Sequence, residues 1–155
     1  MSKNYTTNLE LYEKAYENNI CLNGIYYKDK LPNIVKNGGY IVNLADHDDG
    51  TSGTHWVGFW VEGKRAVYFD PLGVHPPEAV KDFLGNTNLM ITTKQIQNEY
   101  SGWCGHYLLY FLYFMSHKRK EYPNPFTRAS EFLSLWSSEP DDNLTVLKCL
   151  MKQLR

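Results

Sequence analysis

From Thr7 to Asn18, apolar positions recur at three- and four-residue steps: Leu9, Tyr12, Ala15 and Tyr16. That spacing predicts a helix capped by Thr6 or Thr7 and stopped at Asn18-Asn19. After Gly24 the segment I-Y-Y-K-D-K-L-P reads as extended or turn-rich, and Gly38-Gly39 introduces a strand from Tyr40 to Leu44. The tract 46–53 is polar and glycine-punctuated, so a surface loop is expected. Two β-runs follow, Thr54 to Val61 and Ala66 to Phe69, separated by Glu62-Gly63-Lys64-Arg65; they predict an antiparallel hairpin. Within the first run, alternation groups His55 with Val57, Phe59 and Val61, and Trp56 with Gly58 and Trp60.

Pro71-Leu72-Gly73 ends the second run, and Pro76-Pro77 starts a short helix through Phe83-Leu84. Leu89 to Thr93 reads as a strand reaching towards Gln97, and 98–102 as a polar turn. The turn delivers the chain to Cys104-Gly105 and then to H-Y-L-L-Y-F-L-Y-F-M, apolar on almost every side, which marks a central buried helix. Arg128 to Trp136 and Asp141 to Leu154 predict two amphipathic helices, joined by 138–142 with Pro140 as breaker. The sum is an α+β fold: a small mixed or antiparallel sheet packed against a central buried helix that starts at Cys104, with flanking helices. No repeat or low-complexity segment divides the chain, and its 155 residues fit one domain, 1–155.

Composition narrows the class. Tyrosine (12), Phe (7) and Trp (4) supply more buriable area than a disordered chain carries. Sixteen basic against 17 acidic side chains give a formal charge of −1, so no global field holds a polyanion. Three cysteines, Cys21, Cys104 and Cys149, form neither a metal knuckle nor a disulfide framework, which suits a reducing compartment. Cys149, in an amphipathic helix, is expected in the core. No run approaches the ~18 apolar residues of a membrane span, and the N-terminus lacks a signal-peptide h-region. A cytosolic, nuclear or particle-packaged protein is expected, with no membrane association.

Candidate chemistry centres on Cys104. It sits where a polar turn meets the helix, and there unpaired N–H groups and the macrodipole favour a thiolate. Gly102 and Gly105 allow a substrate backbone to approach. The bland alternative is a small core residue, as most free cysteines are. Of the five histidines, His55 lies in a β-run, partly desolvated beside apolar neighbours; by itself this also describes a core histidine. His106, two residues past Cys104 on a helix, is a poor partner because i and i+2 do not face each other. His47, among Asp46, Asp48 and Asp49, lacks regular ligand spacing, so a solvated loop is expected rather than a metal site. His75 and His117 read as surface residues. Asp70 ends the strand paired with that of His55 and can hold the imidazole's other N–H, although Asp before Pro is also a common turn former. Gln97 could supply an amide donor to an oxyanion.

Each part is weak alone, but the ordered set is specific. G-T-H-W, then F-D-P-L-G at 69–73, then Gln97 with Cys104-Gly105 seven positions on, resembles the adenovirus-type (adenain-like) maturation proteases, cysteine endopeptidases related in fold to the Ulp-type deSUMOylases. The I-V-N segment at 41–43 and G-x-Y-Y-K-D-K-L-P around 24–32 extend the resemblance over roughly residues 20 to 115. It implies Cys104 as nucleophile, His55 as base and Asp70 as orienting acid. The Gln97 amide and the Cys104 backbone N–H would form the oxyanion hole, and Trp56 and Gly105 would contact substrate. The adenoviral enzymes carry Glu at the third position, and Asp70 is similar to the Ulp-type variant.

The resemblance also implies viral capsid precursors as substrates, cut at Gly-containing sites during maturation, in a virion, host cytoplasm or viral factory. A virus, virophage or related mobile element is the implied source. No cofactor is implied and a monomer is expected. The relatives use DNA and a disulfide-linked peptide as activators; the near-neutral charge here argues against DNA activation, and the peptide is not carried over. Two other readings stay open: a ubiquitin- or SUMO-type isopeptidase with the same catalytic set, and a catalytically silent binding module on the fold.

Overall fold

The computed structural model describes residues 7–45, 55–98 and 102–155. Its frame is a five-stranded sheet with the strands side by side in chain order: β1 (Leu22–Tyr27), β2 (Gly38–Asn43), β3 (Trp56–Glu62), β4 (Arg65–Phe69) and β5 (Asn88–Ile91). The central β2–β3–β4 ladder is antiparallel, while β1 runs parallel to β2 and β5 parallel to β4, so the sheet is mixed. The β3–β4 hairpin is tighter than its sequence suggests. Glu62 pairs with Arg65, leaving a two-residue turn in which Gly63, at φ +63, supplies the left-handed backbone that such turns need.

Both faces of the sheet are covered. Ile41, Trp60, Val67 and Phe69 pack on α3 (Cys104–His117), which is flanked by α1 (Asn8–Glu17), α4 (Pro125–Leu133) and α5 (Pro140–Met151). Val57, Phe59, Val61 and Tyr68 form a second core with Val80 and Leu84 of α2 (Glu78–Leu84). The alternation within β3 therefore splits its side chains between two cores.

Helix α3 is buried along most of its length, and two glycines set how closely it lies on the sheet. A Cβ on Gly58 would come within 3.1 Å of Leu108 Cδ2 and of Tyr40 O. One on Gly39 would come within 2.7 Å of Leu112 Cδ2. Leu108 and Leu112 are one helical turn apart, so they form a ridge seated over two strand positions that carry no side chain. This close seat fixes the height of the helix and the place of its first residue, Cys104.

A half-buried ion pair locks the other end. Arg128 is 0% exposed, and its guanidinium donates to Glu62 Oε1 and Oε2 at 2.9 and 3.3 Å and to the carbonyls of Met115, Tyr122 and Pro123. Trp60 Nε1 donates to the same carboxylate at 2.9 Å. Burial pushes the Glu62 pKa up, but the bonds from Arg128 and Trp60 outweigh it and hold the group below its usual 4.5.

Several sequence expectations need correction. In α1 the inward residues are Leu11 and Ala15, while Leu9 and Tyr16 are exposed; Tyr12 is half-exposed and its hydroxyl accepts the Ile25 N–H of β1. The stretch after Gly24 is extended and then turns, as expected: Ile25–Tyr27 close β1, which pairs with β2 in parallel, and a turn follows at 28–29. Helix α4 starts at Pro125 rather than Arg128, with Asn124 as N-cap accepting from Phe126 N at 2.8 Å, and it ends at Leu133. Pro140 opens α5 instead of breaking a helix, since a first-turn Pro lacks only an N–H that has no helical partner. Cys149 is exposed, not core. The loop 46–53, with His47, and most of the 98–102 turn lie outside the described residues. No helix among the described residues is long and apolar enough to cross a membrane.

Candidate active site

The carboxyl end of β4 runs into Asp70-Pro71-Leu72-Gly73, a turn closed by Gly73 N donating to Asp70 O at 2.8 Å. The Asp70 side chain folds back on the turn, its Oδ1 accepting from Leu72 N at 2.8 Å, and the group is 1% exposed. The same Oδ1 faces His55 Nε2 at 2.7 Å. His55 is the residue just before β3, and its backbone carbonyl accepts from Leu44 N at 3.0 Å, which pins it to the chain leaving β2. Histidine and aspartate thus sit just beyond the paired ends of adjacent strands, where neither is bound to the alternation of the sheet.

Cys104 opens α3 and is buried. Its side chain is within hydrogen-bonding reach of the His55 ring, whose Nε2 is engaged by Asp70, so Nδ1 is the nitrogen left for sulfur. Burial lowers the His55 pKa, but the hydrogen bonds the ring makes to Asp70 and Cys104, and the negative charges those groups can carry, outweigh it and raise the pKa. The net result is about 9, so the ring is an imidazolium at neutral pH and can hold a thiolate beside it.

The residue ahead of Cys104 is fixed as well. Trp103 lies 4.5 Å from the His106 ring, and Lys148 Nζ stands 5.1 Å from the centre of its indole. Trp103 O accepts the N–H groups of His106 and Tyr107, and the side chain of Trp103, the N-cap residue, makes no capping bond. The N–H groups of Cys104 and Gly105 come before the first helical bonds, so they are the donors a helix start offers to an anion. His106 is half-buried, its pKa lowered by burial despite the opposing charge of Glu10, and it packs on Trp103.

Gln97 is 2% exposed. Its N–H donates to Pro71 O at 3.0 Å, beside the Ile96 N–H at 2.9 Å on the same carbonyl, so it lies against the turn that carries Asp70. Gly73 makes this possible: at φ +75, a Cβ there would lie 2.6 Å from Thr93 O and 3.0 Å from Gln95 N. Trp56 is 8% exposed and belongs mainly to the core; its edge lines a small cavity of about 40 Å³ with Asn8, Tyr26, Tyr27 and Asn43. Gly105 is buried in the first turn of α3.

The structure therefore brings His55, Asp70 and Cys104 into one chain of contacts and lays Gln97 against the turn beneath them. Sequence reasoning passed over Asn143 of α5, which reaches this region through Ile96 O at 3.0 Å. The available signal was its four-residue step to Leu147, since both are fully buried. Compared with models of known protein families and with curated proteins, the chain matches none.

Proposed function

We propose that the protein is a cysteine endopeptidase of the adenain-like type, built on the fold those enzymes share with the Ulp-type deSUMOylases, and that it processes viral capsid precursors at Gly-containing sites. The observation that carries the reading is one imidazole held between a buried carboxylate at 2.7 Å and a cysteine at the head of a buried helix. Structural histidines have no need of a thiol on one side and a buried acid on the other.

The chemistry follows from the charges. The Cys104 thiolate attacks the scissile carbonyl carbon, and the oxygen gains charge facing the first-turn N–H groups of α3 and the Gln97 amide. Collapse breaks the C–N bond as the His55 imidazolium protonates the leaving amine, leaving a thioester and a neutral ring. A water then gives its proton to His55 and attacks the thioester; the C–S bond breaks, and acid product, thiolate and imidazolium result. Asp70 holds the ring and stabilises its charged form throughout.

The test is co-expression with candidate capsid precursors and mass spectrometry of the termini produced. Wild type should cleave, Cys104→Ala should not, and Gln97→Ala should lose ~10²–10³-fold in rate while staying folded. Cleavage that persists in Cys104→Ala would sink the proposal. A covalent adduct on Cys104 from ubiquitin- or SUMO-aldehyde, without precursor cleavage, would favour the isopeptidase reading instead.

A further inference from the structure

We infer that Asn143, in the first turns of α5, is a positioning residue for Gln97 and makes the C-terminal helix part of the catalytic support. The inference rests on the proposed reading of Gln97 as an oxyanion donor.

Asn143 is 0% exposed, an expensive place for an amide unless every polar atom is used. Each of its polar atoms is. Nδ2 donates to Ile96 O at 3.0 Å and to Ser137 O at 2.9 Å, and Oδ1 accepts from Ser137 N at 2.8 Å. The Ile96 contact is the informative one. Ile96 O and Gln97 N belong to the same peptide plane; Asn143 holds the carbonyl and Pro71 O holds the N–H at 3.0 Å. A plane anchored at both ends cannot rotate about its long axis, and it sets the direction in which the Gln97 side chain leaves the backbone.

Neighbouring contacts bracket the same short segment. One residue beyond Gln97, Asn98 Nδ2 donates to Asp141 Oδ1, again from the first turn of α5. Three residues before Gln97, Lys94 Nζ donates to the carbonyls of Leu133 and Trp136 at the end of α4, at 3.0 and 2.6 Å. Residues 94–98 carry no strand pairing of their own, since β5 ends at Ile91. Their geometry comes from the Asp70–Gly73 turn on one side and the C-terminal helices on the other. Asn143 is the only one of these side chains that is fully buried and acts on the Gln97 peptide itself.

The experiment pairs Asn143→Ala with Gln97→Ala and reads two quantities. The first is independent of activity: hydrogen exchange at the Gln97 amide in the intact protein. It should speed up in Asn143→Ala, while the titration of His55 and the alkylation rate of Cys104 by iodoacetamide, followed by mass spectrometry, stay at wild-type values. The second is turnover. Asn143→Ala should lower kcat about 10–100-fold, as displacement of a catalytic group does, with KM little changed, and should lower it no further in a Gln97→Ala background. If Asn143→Ala fails to fold, Asn143→Ser takes its place, because it keeps a polar side chain that is one bond too short for Ile96 O. Unchanged exchange at Gln97 overturns the inference, as do losses that multiply in full in the double variant. A Cys104→Ala protein that still cleaves removes the protease reading, and the exchange measurement alone then decides the role of Asn143.

Discussion

Replacing Asp70 with Asn isolates one quantity, the charge behind His55. Both bonds to the carboxylate end on the same oxygen: Oδ1 receives Leu72 N at 2.8 Å and faces His55 Nε2 at 2.7 Å. An asparagine Oδ1 can serve both donors, so turn and ring keep their places and only the negative charge is lost. In the wild type the His55 pKa stands at about 9 against an ordinary 6.5, and at ~1.4 kcal/mol per unit the folded state favours the charged ring by about 3 kcal/mol. Because the folded value is the higher one, this contribution is complete below pH ~6.5 and is lost as pH rises towards 9. A hydrogen bond to a charged group is worth ~1.5–3 kcal/mol, so Asp70→Asn should lower the His55 pKa by about 1–2 units. The assay is an NMR titration of the His55 ring, with iodoacetamide alkylation of Cys104 followed across the same pH range. The imidazolium in the variant should disappear at lower pH, and wild-type stability should fall between pH ~6.5 and 9 more steeply than that of the variant. A midpoint still near 9 in Asp70→Asn would refute the argument, because the ring's charge would then owe nothing to the carboxylate.

Three further outcomes follow from contacts already described. Gly73→Ala puts a side chain at φ +75 and 2.6 Å from Thr93 O; it should cost about 1–3 kcal/mol in a thermal melt and lower kcat although no proposed catalytic group is altered. Gly58→Val drives bulk into Tyr40 O and Leu108, each 3.1 Å from the first added carbon; denaturant unfolding should show a loss of about 1–3 kcal/mol, and a neutral result would mean that α3 is free to lift. Arg128→Met takes the guanidinium from the half-buried Glu62 carboxylate, which keeps Trp60 Nε1, and from three carbonyls, so urea unfolding should show a loss of about 1–3 kcal/mol. The folded Glu62 pKa is lowered, so its stabilisation is present above its unfolded value and lost as pH falls through the folded one; that acid-side loss should be smaller in the variant, where only Trp60 and Arg119 still hold the charge.

The residues of the candidate site stand at backbone positions that local sequence grammar marks, which is why their placement is legible in the sequence. Cys-Gly at the head of an apolar run and Asp before Pro-x-Gly each mark a backbone position as well as a side chain, whereas His55, which reads as part of a β-run, stands just before β3 and outside its alternation. Residues whose meaning comes from a distant partner were harder to read. Leu9 and Tyr16 are apolar yet exposed, because Leu11 and Ala15, a four-residue pair of their own, meet the core. Pro140 reads as a break in sequence, yet it takes the first position of α5. Arg128 and Asn143 look like surface polar residues in sequence, and both are fully buried because carbonyls remote in the chain await their donors.

The support of the site divides into two bodies, with different consequences when either is disturbed. One is the Asp70–Gly73 turn: Asp70 Oδ1 holds Leu72 N and faces His55, Pro71 O holds the N–H groups of Ile96 and Gln97, and Gly73 closes on the chain at Thr93. Four consecutive residues therefore place both the acid behind the histidine and the glutamine. The other is α3, whose seat on Gly39 and Gly58 places Cys104. A perturbation of the turn should shift the His55 titration and the placement of Gln97 together, whereas a change under α3 moves the sulfur relative to an unaltered pair. Loss of alkylation with an unchanged His55 midpoint would thus trace a defect to the helix, and loss of both to the turn.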